Sequence, residues 1–401
     1  MIRAAAPPRK PILGALTGLR FLAAAQVVLF HSMGPRLDRM PPKLASVLGA
    51  GYTGVSLFFV LSGFVLAYNY LSPGRGGVRK TGSFLAARVA RVYPVYLIGV
   101  VLALPGLGLR LLRTHGAGDA LLGGSPVVLS ALTLTQSWIP AYACQVNCPG
   151  WSLSVEAFFY LMFPLLAVLL TPRSKAGLLP IIIGGWALSL LMGLAYVHLD
   201  PDALGVTTPL SDGFWLNVLK YNPLVRLPEF VIGMSLGLLF LRNPEVLGRR
   251  SHLVTLAALA VVLFGLVESG RIPYPVMNNG LLLGPFAILI LALASGRGFV
   301  ARFLGSPPMI LLGEASYALY ILHVPIHSIL RRVVPGTGPL APQSTAFLVV
   351  YLIGSVLVAI LVLKLFEEPA RLALRKRLTQ WIDTGPDRAP HGGAENVPAT
   401  S

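Results

Sequence analysis

Arg20 and His31 sit eleven residues apart in one long apolar stretch, with no acidic residue between them. At 100° per residue that spacing is about 20° from three whole turns. A helix would therefore carry both side chains on one face, roughly 16 Å apart along its axis. Ionisable groups inside a membrane helix are costly, so such a pair marks a candidate functional site by default. The two are too far apart for a direct hydrogen bond. An Arg toward one leaflet and a His toward the other imply a ligand that reaches through part of the bilayer. The competing reading is an Arg that snorkels to its interface and a His that caps the far helix end.

Other groups of the same kind follow. Arg88 and Arg91 stand three apart, which puts both guanidinium groups on one helix face, where their planar forks suit phosphates; positive charge that only sets topology is the alternative. In Trp151-Ser-Leu-Ser-Val-Glu156, a carboxylate near the outer end of a span can orient an imidazole or receive an acceptor hydroxyl. The same segment also reads as a helix start, with Ser152 or Ser154 as N-cap and Glu156 against the dipole. Arg226 and Glu229 form either an internal ion pair or part of a cavity wall. Tyr317, Tyr320 and His323 recur every third residue, with His327 one turn on. His323 and His327 have metal-ligand spacing, but Pro325 lies between them and no third ligand is evident, so no metal is expected. Tyr320 and His323 read instead as the polar wall of a cavity. No Gly-x-Ser-x-Gly elbow, phosphate-binding loop or dinucleotide fingerprint occurs, so a covalent serine hydrolase and an ATPase have no support.

The elements that must position these groups are membrane helices. The 401 residues are 55% hydrophobic and 12% charged, against about 25% charged in soluble domains. The net charge of +17 does not form a stripe for nucleic acid. It lies in short segments between apolar runs, the signature of a positive-inside bias. Apolar runs of spanning length fall near 13–33, 51–70, 93–112, 151–171, 178–199, 223–241, 253–268, 277–295, 312–330 and 345–366. A shorter run at 126–139 is followed by a polar loop with Cys144 and Cys148, which form either a small disulfide or two free thiols. Segments with Arg75, Arg79, Lys80, Arg88 and Arg91, and later with Arg371, Arg375, Lys376 and Arg377, read as cytoplasmic. The segment 200–222, with Asp200, Asp202 and Asp212, reads as external. These assignments agree if 126–139 does not cross. The expectation is an all-α polytopic protein of ten transmembrane helices (eleven is the alternative) with both termini cytoplasmic. The basic N-terminus (Arg3, Arg9, Lys10) leads into a retained first helix rather than a cleaved signal peptide. The domain layout is 1–10, a basic N-terminus; 11–370, the membrane domain; and 371–401, a basic and then disordered cytoplasmic tail.

Taken in order, Leu16-Thr-Gly-Leu-Arg20 with Val28-Leu-Phe-His31, Gly54-Val-Ser-Leu-Phe-Phe-Val-Leu-Ser-Gly63, Arg88-x-x-Arg91-x-Tyr-Pro94, Trp151 to Glu156, Ser316-Tyr-Ala-Leu-Tyr-Ile-Leu-His323 and Glu368-Pro369 resemble the bacterial membrane acyltransferase-3 family over about residues 11–370. The resemblance implies transfer of acetyl or another short acyl group from cytoplasmic acyl-CoA to a hydroxyl of an envelope sugar, exported polysaccharide or small molecule, in the bacterial cytoplasmic membrane. It implies that Arg20 and His31 are the family's Arg-x10-His pair, and that Arg88 and Arg91 are its Arg-x-x-Arg motif. Glu156 matches the Glu of the family's Trp-Ser-Leu-Ser-Val-Glu segment. One departure is Ser56, where many members carry Asp. On this reading Arg88, Arg91 and Arg20 bind the donor, and His31, Arg20 and Glu156 are the catalytic residues, with His31 as general base (or as transient carrier of the acyl group) oriented by Glu156 or His323. Tyr320, His323, Arg226 and Glu229 line the cavity, and no permanently bound cofactor is implied. Without the resemblance, the residues also fit a transporter or flippase for a lipid-linked sugar or anionic solute, with Arg20, Arg226 and Glu229 lining the path and His31 relaying protons.

Overall fold

A computed structural model describes residues 13–383 except 73–76 and 79, with 114–122 and 383 by backbone alone. Arg3, Arg9, Lys10, Arg75, Arg79 and the tail beyond 383 lie outside the described residues. In chain order the helices are α1 (Gly14–Met33), the short α2 (Pro42–Gly49), α3 (Gly54–Tyr70), α4 (Thr81–Leu132), α5 (Gly150–Leu170), α6 (Lys175–Leu199), α7 (Phe214–Tyr221), α8 (Pro223–Arg242), α9 (Ser251–Val267), the single turn α10 (Tyr274–Val276), α11 (Leu283–Ala294), the short α12 (Phe299–Leu304), α13 (Pro307–Val333), α14 (Thr345–Val362) and α15 (Glu368–Asp383).

Among the described residues, ten helical stretches are long and apolar enough to cross a membrane, the smaller of the two expected counts. The run at 126–139 makes no eleventh. Its helical part, Gly123–Leu132, is short and lies back along the first half of α4. The Tyr93 hydroxyl donates to the Leu132 carbonyl (3.0 Å) and that of Tyr96 to Ala131 (2.8 Å). A straight helix would hold Tyr93 and Leu132 roughly 58 Å apart, so the chain doubles back between them. The basic segment from 371 is helical to Asp383; its Arg, Lys and Leu are good helix formers, and Lys364 pairs with Glu368 one turn on.

Two crossings place the site. At the α3–α8 crossing Gly63 meets the backbone of Phe230 and Gly233 that of Val60, so a Cβ at either would strike the other helix. α1 packs along α13, where Gly313 sits against the Thr17 backbone. The apolar core runs between these pairs, with Phe59, Phe159, Phe163 and Phe230 fully buried in it. One span is broken. At Asn279 and Gly280 the backbone leaves the helical region, Gly280 with φ +107°. Groups freed there find partners, as they must in a membrane: Trp186 donates to the Gly280 carbonyl (2.7 Å) and Arg226 to that of Asn278 (3.2 Å).

Candidate active site

Arg20 and His31 do share one face of α1, and each opens into a different cavity. Arg20 lines a cavity of about 210 Å³ with Arg88, Arg91, Glu156, Tyr160 and Tyr317. His31 lines a second, of about 660 Å³, toward the opposite end of the bundle. Val55 and Tyr320 line both, so the two cavities meet at a waist between the Arg level and the His level.

The arginine end is built by five helices, α1, α3, α4, α5 and α13. From α4, Arg88 donates to the Tyr70 hydroxyl (2.9 Å) and Arg91 is ion-paired with the buried Glu367. Arg91 also lies over the ring of Tyr317 from α13, whose hydroxyl donates to the Val92 carbonyl (2.5 Å). Three guanidinium groups and one carboxylate, Glu156, thus face a narrow space. Glu156 accepts from Ser62 (2.9 Å) and belongs to this cavity, not to the His31 cavity. It does not lie in the first turn of α5, and neither Ser152 nor Ser154 caps that helix, which begins at Gly150. Ser152 instead bonds the Tyr320 hydroxyl at the waist (2.9 Å), while Ser154 donates to the Leu134 carbonyl (2.6 Å).

At the other end, His31 is held by His323. Nδ1 of His31 lies 3.0 Å from the Val27 carbonyl and 3.2 Å from Nε2 of His323. Nδ1 of His323 lies 2.7 Å from the Tyr320 carbonyl. A carbonyl only accepts, so both Nδ1 atoms carry hydrogen, and Nε2 of neutral His323 receives the His31 N–H. Nε2 of His31 is left with a lone pair, and the ring opens into the second cavity. His323 itself is fully buried. His327 turns to Phe347 and Tyr351.

His323 holds its place through a defect in α13. Pro325 has no N–H, so the carbonyl of Ile321 lacks its helical donor. The side-chain amide of Asn147 donates to it (2.9 Å). Asn147 lies between Cys144 and Cys148, which are joined by a disulfide and line the His31 cavity. Nothing in the sequence singled Asn147 out; the proline four residues after Ile321 was the available signal.

Arg226 and Glu229 line neither cavity. Both are about 1% exposed, pair with each other (3.2 Å), and are bridged by Ser56, which accepts from Arg226 (2.9 Å) and donates to Glu229 (3.0 Å). They stand behind the wall, with Arg226 over the rings of Phe59 and Trp151. Ser56 thus sits in a cluster whose carboxylate comes from Glu229.

A polytopic helical bundle with a cationic cavity at one end and a histidine-lined cavity at the other has the form of a membrane enzyme that joins two substrates. The acyltransferase domain profile of the acyltransferase-3 family matches residues 13–364, and the chain belongs to that family: it is a membrane acyltransferase. It is similar to acyltransferase MdmB of Streptomyces mycarofaciens, 29% identical over 96% of this chain and 97% of that protein. It is also similar to exopolysaccharide production protein ExoZ of Rhizobium meliloti, 28% identical over 80% of this chain and 89% of that protein. With O-acetyltransferase OatA of Staphylococcus aureus it shares 25% identity over 78% of this chain and half of the longer protein. No solved structure matches it significantly.

Proposed function

We propose that the protein moves an acetyl or other short acyl group from acyl-CoA, supplied at the arginine end, to a hydroxyl of a sugar-containing or other small acceptor in the outer cavity. The meeting of the two cavities at Val55 and Tyr320 carries this reading. The arginine cavity, about 210 Å³, is smaller than the ~300–1,000 Å³ that houses a drug-sized ligand. It suits the narrow pantetheine arm, with the nucleotide left at the mouth beside Arg88 and Arg91. The roughly 16 Å between Arg20 and His31 is then the reach of that arm.

In the reaction, Nε2 of His31 takes the acceptor hydroxyl proton as the oxygen attacks the thioester carbonyl. The C–S bond breaks, the ester forms, and the proton passes to the leaving thiolate to give free CoA. His323 accepts the Nδ1–H of His31 and supports the imidazolium. The donor side is the cytoplasmic side, in keeping with the basic segment around Lys80 to Arg91, and the membrane is the bacterial cytoplasmic membrane.

The test is transfer from labelled acetyl-CoA in membranes holding the full chain. His31→Ala should reduce transfer by about 10²–10⁴, the range of general acid–base catalysis, with insertion intact. Normal turnover by that variant would sink the reading.

A further inference from the structure

Tyr320 stands where the two cavities meet, and its two polar ends serve different neighbours. Its backbone carbonyl accepts from Nδ1 of His323 (2.7 Å). Its hydroxyl lies 2.9 Å from that of Ser152. Between those points the ring packs edge to face with Phe58, centroids 5.7 Å apart, and the residue is only 6% exposed. α13 thus fixes one end of the side chain and α5 the other. Of the two side chains common to both cavities, Val55 has no polar atom, so the Tyr320 hydroxyl is the polar group of the waist.

Ser152 and Tyr320 carry two hydroxyl hydrogens between them, and these have two arrangements. In the first, Ser152 donates to the Pro149 carbonyl (2.9 Å) and Tyr320 donates to Ser152. In the second, Ser152 donates to Tyr320, and the Tyr320 hydrogen is free to point into the waist. The Pro149 carbonyl then still accepts from the Ser152 amide (3.3 Å), so the exchange leaves no buried acceptor bare, the costly outcome. Other hydroxyls of the arginine cavity lack this freedom. Ser62 and Tyr160 are committed to the Glu156 carboxylate, Ser316 to the Gly313 carbonyl and Tyr317 to that of Val92.

We propose that Tyr320 is a catalytic residue whose hydroxyl donates to the thioester carbonyl oxygen of the acyl donor as the acceptor oxygen attacks. Attack moves the carbonyl π electrons onto that oxygen. The Tyr320 O–H, backed by Ser152, gives the oxyanion a hydrogen bond and keeps its proton. When the carbonyl re-forms, the C–S bond breaks and its electron pair leaves on sulfur. A donor already in place where charge develops, in a narrow and largely apolar passage, lowers the barrier without reorganisation during the reaction. The same residue then serves both halves of the chemistry, its carbonyl through His323 to His31 and its hydroxyl on the acyl group. This rests on the acyl-transfer reading above.

Tyr320→Phe tests this, because it removes the hydroxyl and leaves the carbonyl that holds His323. Membranes holding the full chain receive saturating labelled acetyl-CoA, and retention of that donor by the solubilised protein is read separately. The expected result is a kcat lower by about 10²–10³, the range for one oxyanion-hole donor, with donor retention unchanged. Ser152→Ala should cost less, since the Tyr320 hydroxyl remains. Two further readouts separate catalysis from a structural role. In dithioacetyl-CoA sulfur, a weak acceptor, replaces the carbonyl oxygen, so the rate ratio of acetyl-CoA to this analogue should be much larger for the native chain than for Tyr320→Phe. The infrared carbonyl stretch of bound, carbonyl-isotope-labelled acetyl-CoA should fall in frequency on the native chain and on His31→Ala, and stay near its solution value on Tyr320→Phe. A native kcat for Tyr320→Phe, or the same carbonyl frequency on it and on the native chain, overturns the proposal. Normal turnover by His31→Ala with the carbonyl shift intact overturns the His31 step and upholds the Tyr320 contact; no retention of acetyl-CoA by the native chain overturns both.

Discussion

At the scale of residues, the tautomer of His31 follows from its neighbours. Its Nδ1 is committed to Val27 and His323, so only Nε2 can take a proton from a substrate. His323→Ala removes the acceptor and frees the ring to turn. The expected outcome is a fall in kcat of about 10–100-fold, by analogy with the loss of partners that orient metal-bound histidines, with the KM for acetyl-CoA little changed. An equal rise in KM would place His323 in donor binding instead. The buried Arg226–Glu229 pair makes a second case. Glu229→Gln leaves Arg226 charged and uncompensated at about 1% exposure, a loss of about 3–5 kcal/mol read as a lower midpoint of thermal unfolding. Arg226→Met with Glu229→Leu should lose less than either single change, because no orphan charge remains. Arg20 and His31 were legible in the sequence because a charge in an apolar run has few innocent explanations. The partner of His31 could be narrowed only to Glu156 or His323, since the i+3 pattern of Tyr317, Tyr320 and His323 fixes a face of α13 but not what faces it.

Elements carry the next level. Spans could be read from apolar length, and their number, ten rather than eleven, from the placement of charged segments between them; the doubling back within α4 could not. Three prolines, Pro94, Pro105 and Pro126, lie inside that stretch, and none of them by itself says where the chain reverses. Pro325 within α13 was equally visible, but its consequence depends on a loop 174 residues away in sequence, which supplies Asn147 to the Ile321 carbonyl. Asn147→Ala should lower kcat by disturbing His323. In a Pro325→Ala background the restored backbone N–H can serve Ile321, so the same change should then cost less, and equal losses in both backgrounds would refute the brace. The strap between α6 and α7 gives a pH prediction. Burial pushes the Asp202 carboxyl up, but the amides of Trp215 and Leu216 and the Tyr196 hydroxyl outweigh it and hold the group below the ordinary carboxylate range. A group depressed in the folded state stabilises above its unfolded pKa, about 3.9, and loses that contribution as pH falls through the folded value. Hydrogen-exchange protection of the Trp215 and Leu216 amides should therefore drop on acidification below about pH 4, and Asp202→Asn should show reduced protection already at neutral pH.

For the whole molecule, the two ends have unlike charge and unlike width, and the join between them is small. Three arginines face the narrow end and none of the residues lining the His31 cavity is an arginine. On the proposed reading the donor's phosphates are drawn to the first and the acceptor is left to the second, so neither substrate need cross the membrane whole. Val55 is one of two side chains common to both cavities, and a larger group there should plug the waist. Val55→Trp is expected to retain labelled acetyl-CoA while transferring little or none of its acyl group, a split that neither His31→Ala nor a loss of Arg88 and Arg91 produces in the same way. Sealed inverted vesicles make the directional test. Labelled acetyl-CoA added outside such vesicles should label acceptor enclosed in the lumen, and Val55→Trp should abolish that label without releasing bound donor. Acceptor labelled on the same side as the donor, or full transfer through the plugged waist, would show that the two cavities do not form the reaction path.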